Sequence, residues 1–283
     1  MTVAARAAAP ATPVADDDLA PEHWRDIDAA DAGDSATAYL DATARALAAP
    51  RLRSHELLGV RPGATVLDVG CGTGIALREI ADLVGPHGTV VGLDPSAAML
   101  EQARRRLEGV AAGVELVEGT ATETGLEADR FDAVRTERVL VHVADPLPAL
   151  TELARIIRPG GRIVLVEPDH RCLAVDTDTP DVHRRINSAF AAMIPNMSAG
   201  LRAPSDATRL GLTVDAIEPI PCPIRSHTQF AEVFNLEVGR QAAHAQGVTD
   251  AEFDTFLDEL ATRGREGRFL AVAMMYVVVL TTP

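Results

Sequence analysis

Between positions 65 and 167 the apolar residues fall into two alternating rhythms. Short apolar runs at 65–69, 89–94, 114–118, 131–135 and 162–167 predict strands. The segments between them, near 75–84, 96–108 and 147–158, repeat at helical spacing. Ala76, Ile80, Leu83 and Val84 form one such stripe. Leu150, Leu153, Ala154 and Ile157 form another, and Pro159, Gly160 and Gly161 read as its stop. The alternation predicts an α/β fold built on a doubly wound sheet.

After position 167 the alternation fails, and it returns only in two runs, 212–220 and 269–280, that read as further strands. The stretches 168–211 and 223–266 carry Phe190, Met193, Met197, Phe230, Phe234 and Leu236 among acids and histidines. Such a mixture fits lid insertions around a partly apolar substrate, although each residue alone serves equally well as helix core. Ahead of the sheet, 24–58 reads as a helical cap with a break at Pro50. Its stripe of Leu40, Ala44 and Leu47 either covers a pocket or packs on the sheet. Residues 1–20, rich in Ala and Pro with Asp16, Asp17 and Asp18 in a row, read as a disordered tail, leaving 21–283 as a single domain. The longest apolar run, 269–280, is short of the roughly 20 residues a membrane-spanning helix needs. Neither a membrane segment nor a signal peptide is expected, and the expected compartment is the cytoplasm.

Chemistry enters at TVLDVGCGTGI, residues 65–75. Gly70, Gly72 and Gly74 let the chain turn between a strand and a helix and approach a ligand without a Cβ in the way. In an open α/β sheet this is where ligands bind. A dinucleotide site would show GxGxxG, with a pyrophosphate on the helix terminus. This chain has GxGxG, and Asp68 would repel a pyrophosphate, whereas it suits the ammonium of an amino-acid cofactor such as S-adenosyl-L-methionine. Asp94, at the end of the next strand, is placed to hold two ribose hydroxyls. That contact serves either cofactor, so Asp68 and GxGxG decide.

Together these segments resemble the class I S-adenosylmethionine-dependent methyltransferases, in particular the small-molecule branch that includes the ubiquinone and menaquinone C-methyltransferases and many natural-product enzymes. VLDVGCGTG is similar to that superfamily's first motif, VVGLDPSAAML to its second and VELVEGTATET to its third. FDAVRTERVLVHVADP and IIRPGGRIVLVEP resemble the fourth-strand motif and the segment after it. The resemblance implies a Rossmann-like, seven-stranded sheet whose last strand is antiparallel. It implies a cofactor site of Asp68, Gly70, Cys71, Gly72, Gly74, Asp94, Pro95, Met99, Gly119, Thr120, Ala121, Thr136 and Glu137, with S-adenosyl-L-homocysteine as product. Thr120 stands where an Asp often reads the adenine amino group, so that contact would fall to a hydroxyl or to backbone.

The formal net charge is −15, and all 26 basic residues are Arg. Without lysine there is no Schiff-base chemistry, and the acidic excess disfavours a nucleic-acid substrate. Cys71, Cys172 and Cys222 show no CxxC pair, so neither a disulfide framework nor a zinc site is expected. Pro221, Cys222 and Pro223 resemble a DNA cytosine methyltransferase motif only in passing. Arg104, Arg105 and Arg106 read as solvated helix surface, and the sequon at Asn196 as coincidence.

Methyl transfer to oxygen or carbon leaves a proton to remove, and a His suits that task near neutral pH. His142, after the fourth strand, is the first candidate base. Glu167 would orient it or bind a substrate hydroxyl, and Asp169 and His170 follow as further candidates. A metal site drawn from His142, His170, His183 and Asp169 lacks a spacing that fixes a ligand set. The expected function is therefore methyl transfer to a small, partly apolar metabolite of secondary metabolism. Behind it stand a cofactor-binding relative that catalyses a non-methylating step such as cyclisation, then a nicotinamide-dependent oxidoreductase, and last a noncatalytic binding module. A homodimer is one assembly the sequence allows.

Overall fold

The computed structural model describes residues 33–234 and 236–282. The expected tail and the first part of the helical cap lie outside the described residues. The chain begins with α1 (Gly33–Ala46) and α2 (Ala48–Leu57). It alternates through β1 (Thr65–Val69), α3 (Ile75–Val84), β2 (Thr89–Asp94), α4 (Ala97–Arg106) and β3 (Gly113–Glu118). There follow β4 (Phe131–Glu137), a single turn of 3-10 helix (Leu140–His142), α5 (Leu147–Ile156) and β5 (Ile157–Pro168). The remainder comprises β6 (Ala174–Val175), α6 (Pro180–Ala192), α7 (Ala199–Arg209), β7 (Thr213–Ile224), α8 (His227–Val233), α9 (Leu236–Ala245), α10 (Asp250–Arg265) and β8 (Ala271–Thr281).

The long strands stand in the order β3-β2-β1-β4-β5-β8-β7. β1 to β5 run parallel, and β8 enters antiparallel between β5 and β7. This is the seven-stranded Rossmann-like sheet with an antiparallel last strand. The two-residue β6 adds an eighth piece beside the start of β8. Each face of the sheet carries a helical layer. Leu150, Leu153 and Ile156 of α5 and Ala199, Ala203 and Ala207 of α7 pack on one face. Leu77, Ile80 and Val84 of α3 and Leu100 of α4 pack on the other. The inner strands bury nearly every side chain, as a sheet covered on both faces requires.

Three local expectations change. Pro50 does not break the N-terminal helices; the break falls at Leu47, and Pro50 sits in the first turn of α2. A proline is tolerated there because first-turn N–H groups have no intrahelical acceptor. Pro159, Gly160 and Gly161 lie inside β5 rather than beyond a helix, because α5 ends at Ile156. They form an irregular loop in the ladder, which pairs Phe131 with Ile157 and then Ala133 with Arg162. The 168–211 and 223–266 stretches are mainly helical: α6, α8, α9 and α10 gather around Phe230, Phe253, Phe256 and Leu260 in a small separate core. At the outer edge of the sheet, β7 carries Pro219, Pro221 and Pro223 at alternate positions.

Candidate active site

The glycine turn leaves β1 with left-handed backbone at Gly70 (φ +67°), Gly72 (φ +51°) and Gly74 (φ +77°). Gly70 and Gly74 are glycines for packing as well. A Cβ on Gly70 would fall 2.4 Å from a Val139 methyl, and one on Gly74 3.0 Å from the Cβ of Ala103 in α4. Gly72 has more room, its nearest neighbour being Leu40 at 3.6 Å. The turn is fixed to β2: the N–H groups of Gly70 and Cys71 donate to the Leu93 carbonyl at 2.7 and 3.0 Å. Asp94, buried at the end of β2, accepts from the N–H of Gly72 at 2.8 Å and from that of Ser96 at 3.0 Å. One carboxylate thus joins the two cofactor-type turns.

A cavity of about 700 Å³ opens over this junction, within the size range of small-molecule sites. Gly70, Gly72, Asp94, Pro95, Met99, Gly119, Thr120, Ala121 and Glu137 line one half. Arg138, His142, Val143, Pro168, His170, Phe190 and Ile194 line the other, and Tyr39 and Leu40 of α1 close over it. A pocket of about 70 Å³ adjoins it and is lined by Asp68, Cys71, Arg51 and Arg135. Leu40, Gly70, Gly72, Glu137 and Arg138 are common to both. Gly74, Thr136, Glu167 and Asp169 line neither.

Beneath the small pocket lies a buried ionic network that the reading of the sequence missed. Arg135 in β4 stands beside Asp68 in β1, its register partner, and donates to it at 2.9 Å. The same guanidinium pairs with Glu137 and donates to Ser54 Oγ of α2 at 2.8 Å. Burial pushes the Asp68 carboxyl up to about 6, with Arg135 pulling the other way. Burial also opposes the charge on Glu137, but Arg135 and Arg138 hold it below the usual carboxylate range. Asp68 is therefore committed to a protein cation, an engagement the resemblance did not foresee. The signal was present: an Arg inside an inner strand of a sheet covered on both faces must find acids among its neighbours.

His142 ends the 3-10 turn after β4 and lines the cavity. Two buried side chains hold this turn. Glu167 Oε1 accepts from the N–H groups of Val139 at 3.1 Å and Leu140 at 3.0 Å, and from Thr136 Oγ1 at 3.3 Å. Asn196 donates through Nδ2 to the Leu140 carbonyl at 3.1 Å and through its N–H to the Val141 carbonyl at 3.0 Å. Asn196 is thus a buried clamp, for which a sequon gives no hint. Glu167 lies fully buried behind the turn, with Oε2 lacking a hydrogen-bond partner among the described residues. Burial pushes it up to about 7.

Asp169 points away from the cavity, receiving Arg171 at 3.0 Å and Ser198 Oγ at 3.3 Å. His170 lies on the cavity wall, its ring edge-to-face with Phe190 at 6.0 Å. Burial lowers it to about 4, helped by Arg138 and opposed by Asp169, so it is neutral at neutral pH. His183 stands apart, stacked on Phe256 in the cap at 6.0 Å. No group of His, Cys, Asp or Glu among the described residues is arranged to hold a metal ion. Cys71 and Cys222 are buried, which raises both thiols, Cys222 to about 11. That is the reverse of what a cysteine nucleophile needs.

Fold and site together define a Rossmann-like cofactor-dependent transferase: a glycine turn after β1, an acid ending β2 and an acceptor-sized space beyond β4. A methyltransferase domain family matches residues 67–165. An uncharacterized 37.1 kDa protein of a Streptomyces fradiae transposon is 38% identical over 245 residues, 85% of this chain and 70% of that protein. A ubiquinone/menaquinone biosynthesis C-methyltransferase of Ectopseudomonas mendocina is 40% identical over 129 residues, 44% of this chain and 50% of that enzyme. The matched part thus spans only about half the length of that relative. The YcgJ protein of Bacillus subtilis shares the fold, with a TM-score of 0.57 at 20% identity over 82% of this chain and 96% of that one. Residues 67–165 therefore carry a methyltransferase domain, and the relatives and the fold support a class I S-adenosylmethionine-dependent methyltransferase, a class whose cofactor is S-adenosyl-L-methionine. No helix among the described residues is long and apolar enough to cross a membrane.

Proposed function

We propose that this chain binds S-adenosyl-L-methionine across the glycine turn and transfers its methyl group to an oxygen or carbon of a small, partly apolar metabolite. The observation that carries the reading is the single cavity that runs from Asp94 and the Gly119–Ala121 turn to His142 and His170. Its first half fits the cofactor: a carboxylate for ribose hydroxyls, Met99 and Ala121 against the adenine, and a turn without Cβ atoms for close approach. The Thr120 hydroxyl, 3.2 Å from that of Thr122, stands ready at the adenine edge.

When bound, the cofactor supplies a sulfonium-activated methyl, so positioning and water exclusion carry most of the task left to the protein. Val141, Val143, Phe190 and Ile194 provide the apolar walls that exclude water. His142 holds or removes the acceptor's proton at its ring nitrogen, with its turn fixed by Glu167 and Asn196. In this reading Glu167 is a positioning residue. The helices over 168–211 and 223–266 act as a lid on the acceptor half, α1 and α2 as the N-terminal cap, and the compartment is the cytoplasm.

Calorimetry with S-adenosyl-L-homocysteine tests the cofactor half. Asp94→Ala should weaken binding by roughly 1.5–3 kcal/mol, the contribution of a charge-assisted hydrogen bond. Unchanged affinity would remove Asp94 from the site, and preference for a nicotinamide dinucleotide would overturn the assignment. Mass spectrometry of acceptors recovered after turnover should show the gain of one methyl; a product isomeric with its substrate would mark a non-methylating reaction instead.

A further inference from the structure

We propose that the acceptor carries an ionised oxygen, in the form of a carboxylate or equivalent oxyanion, on an apolar body, and that Arg138 binds that anion. The inference rests on the methyltransferase reading above and names the class of its second substrate. Arg138 follows β4 with φ +57°, a left-handed conformation that non-glycine residues adopt in only a few per cent of cases and that clusters at functional sites. Its N–H is held by the Val166 carbonyl of β5 at 2.9 Å. The backbone is thus pinned in a costly conformation that directs the side chain to the cavity wall.

Three arginines surround the joined pockets, and they differ in what meets their charge. Arg51 is paired with Glu79 at 3.0 Å. Arg135 is paired with Asp68 and Glu137. Arg138 forms no ion pair among the described residues, and its Nε is buried without a hydrogen-bond partner. A guanidinium facing a largely apolar space with an unanswered N–H is unfavourable until an anion arrives, and its planar fork matches a carboxylate. Glu137, whose charge Arg138 helps to hold, is already paired with Arg135, and the other neighbours on this side, His142, His170, Val143, Phe190 and Ile194, include no acid. The neutral His170 ring and the Phe190 ring suit the apolar body, and the two are already in edge-to-face contact.

A carboxylate has two possible sources here, because the cofactor carries one and Arg138 also borders the small pocket. The arms of the experiment separate them. Calorimetry is performed on the full chain saturated with S-adenosyl-L-homocysteine, using two matched probe pairs: cinnamate with cinnamyl alcohol, and decanoate with decanol. In at least one pair the carboxylate should bind at least about tenfold more tightly than the alcohol. Arg138→Met should abolish that ratio with the homocysteine product bound as before, and Arg138→Lys should keep part of it. The unsubstituted protein carries the test even if a variant fails to fold. Absence of a carboxylate preference in both pairs overturns the proposal. So does an Arg138→Met variant that keeps the preference and loses affinity for S-adenosyl-L-homocysteine, which would give Arg138 to the cofactor. Failure of the unsubstituted chain to bind S-adenosyl-L-homocysteine would sink the methyltransferase reading itself, a result distinct from either.

Discussion

Arg135 and Arg263 solve the same problem in two parts of the molecule. Each gathers several acids around one guanidinium: Asp68 and Glu137 for Arg135 in the floor of the site, and Asp176, Asp178 and Glu259 for Arg263 in the cap. The partners differ in their access to water. The Asp68 and Glu137 side chains are 3% and 11% exposed; on Arg263 only Glu259, at 13%, is as shielded, and Asp176 and Asp178 are 57% and 76% exposed. In the floor a lost partner leaves a buried charge unmet, whereas in the cap water takes its place. The floor's ion network is therefore closed to water, whereas two of the three pairs on Arg263 can be exchanged for solvent at little cost. Such a division suits a rigid cofactor seat beneath an acceptor side that must open and close.

The largest effect expected from breaking this division is on turnover. His142→Ala should lower the rate by ~10²–10⁴ while the affinity for S-adenosyl-L-homocysteine stays near that of the unsubstituted protein. Loss of the rising limb of the pH–rate profile would identify a base; a raised KM with the limb kept would identify an orienting group. Undiminished turnover would leave His142 without a part in the reaction.

The two arginines come next. Arg135→Met should cost about 3–5 kcal/mol in urea unfolding, because Asp68 and Glu137 remain buried without a cation. Arg263→Met should change global stability far less and instead speed hydrogen exchange over residues 176–190. Equal losses in the two variants would erase the distinction between floor and cap.

A smaller effect should come from Glu167. Its carboxyl titrates at about 7 in the folded chain rather than at 4.5, because burial disfavours the charge. The folded protein therefore retains a proton that the unfolded chain releases. This contribution is fully present below pH 4.5 and is lost as pH rises through 7, a change on the order of 3 kcal/mol. Glu167→Gln should flatten that slope between pH 4.5 and 7 in denaturation curves and keep the turn of His142 in place. An unaltered slope would show that Glu167 is not the group responsible.

What the sequence made legible follows the same line. The β1 turn, Asp94, the positions of the first five strands along the chain and the position of His142 rest on short-range patterns, in which a few consecutive residues dictate backbone conformation, and all of them lie in the parallel half of the sheet. The parts that stayed hidden depend on neighbours distant in sequence. Arg135 reads as an ordinary charge near a strand end until β1 brings Asp68 beside it. Asn196 reads as a chance sequon until it closes on the Leu140 carbonyl, 56 residues away in sequence. The cap helices share their apolar residues among one another and the sheet, so no single stripe announced them. Pro50 and the Pro159–Gly161 loop misled for a subtler reason: both are legal one turn inside an element, and the boundary was placed on the residue rather than beside it.

The prolines of β7 bear on how this chain meets its own copies. Pro219, Pro221 and Pro223 alternate, so their nitrogens share one lateral direction, and the regular ladder to β8 from Ala216 to Ile224 puts that direction outward. At these three positions, where an edge strand would offer N–H donors to a passing strand, this one offers none. At the opposite edge β3 sets Glu115 and Glu118 along an already acidic surface. A sheet closed in this way cannot be lengthened by a second copy at its β7 border. Self-association by strand addition would then fall to the β3 edge with its acidic side chains, and strand exchange between crowded chains, the usual first step toward fibrils, is disfavoured at the β7 border.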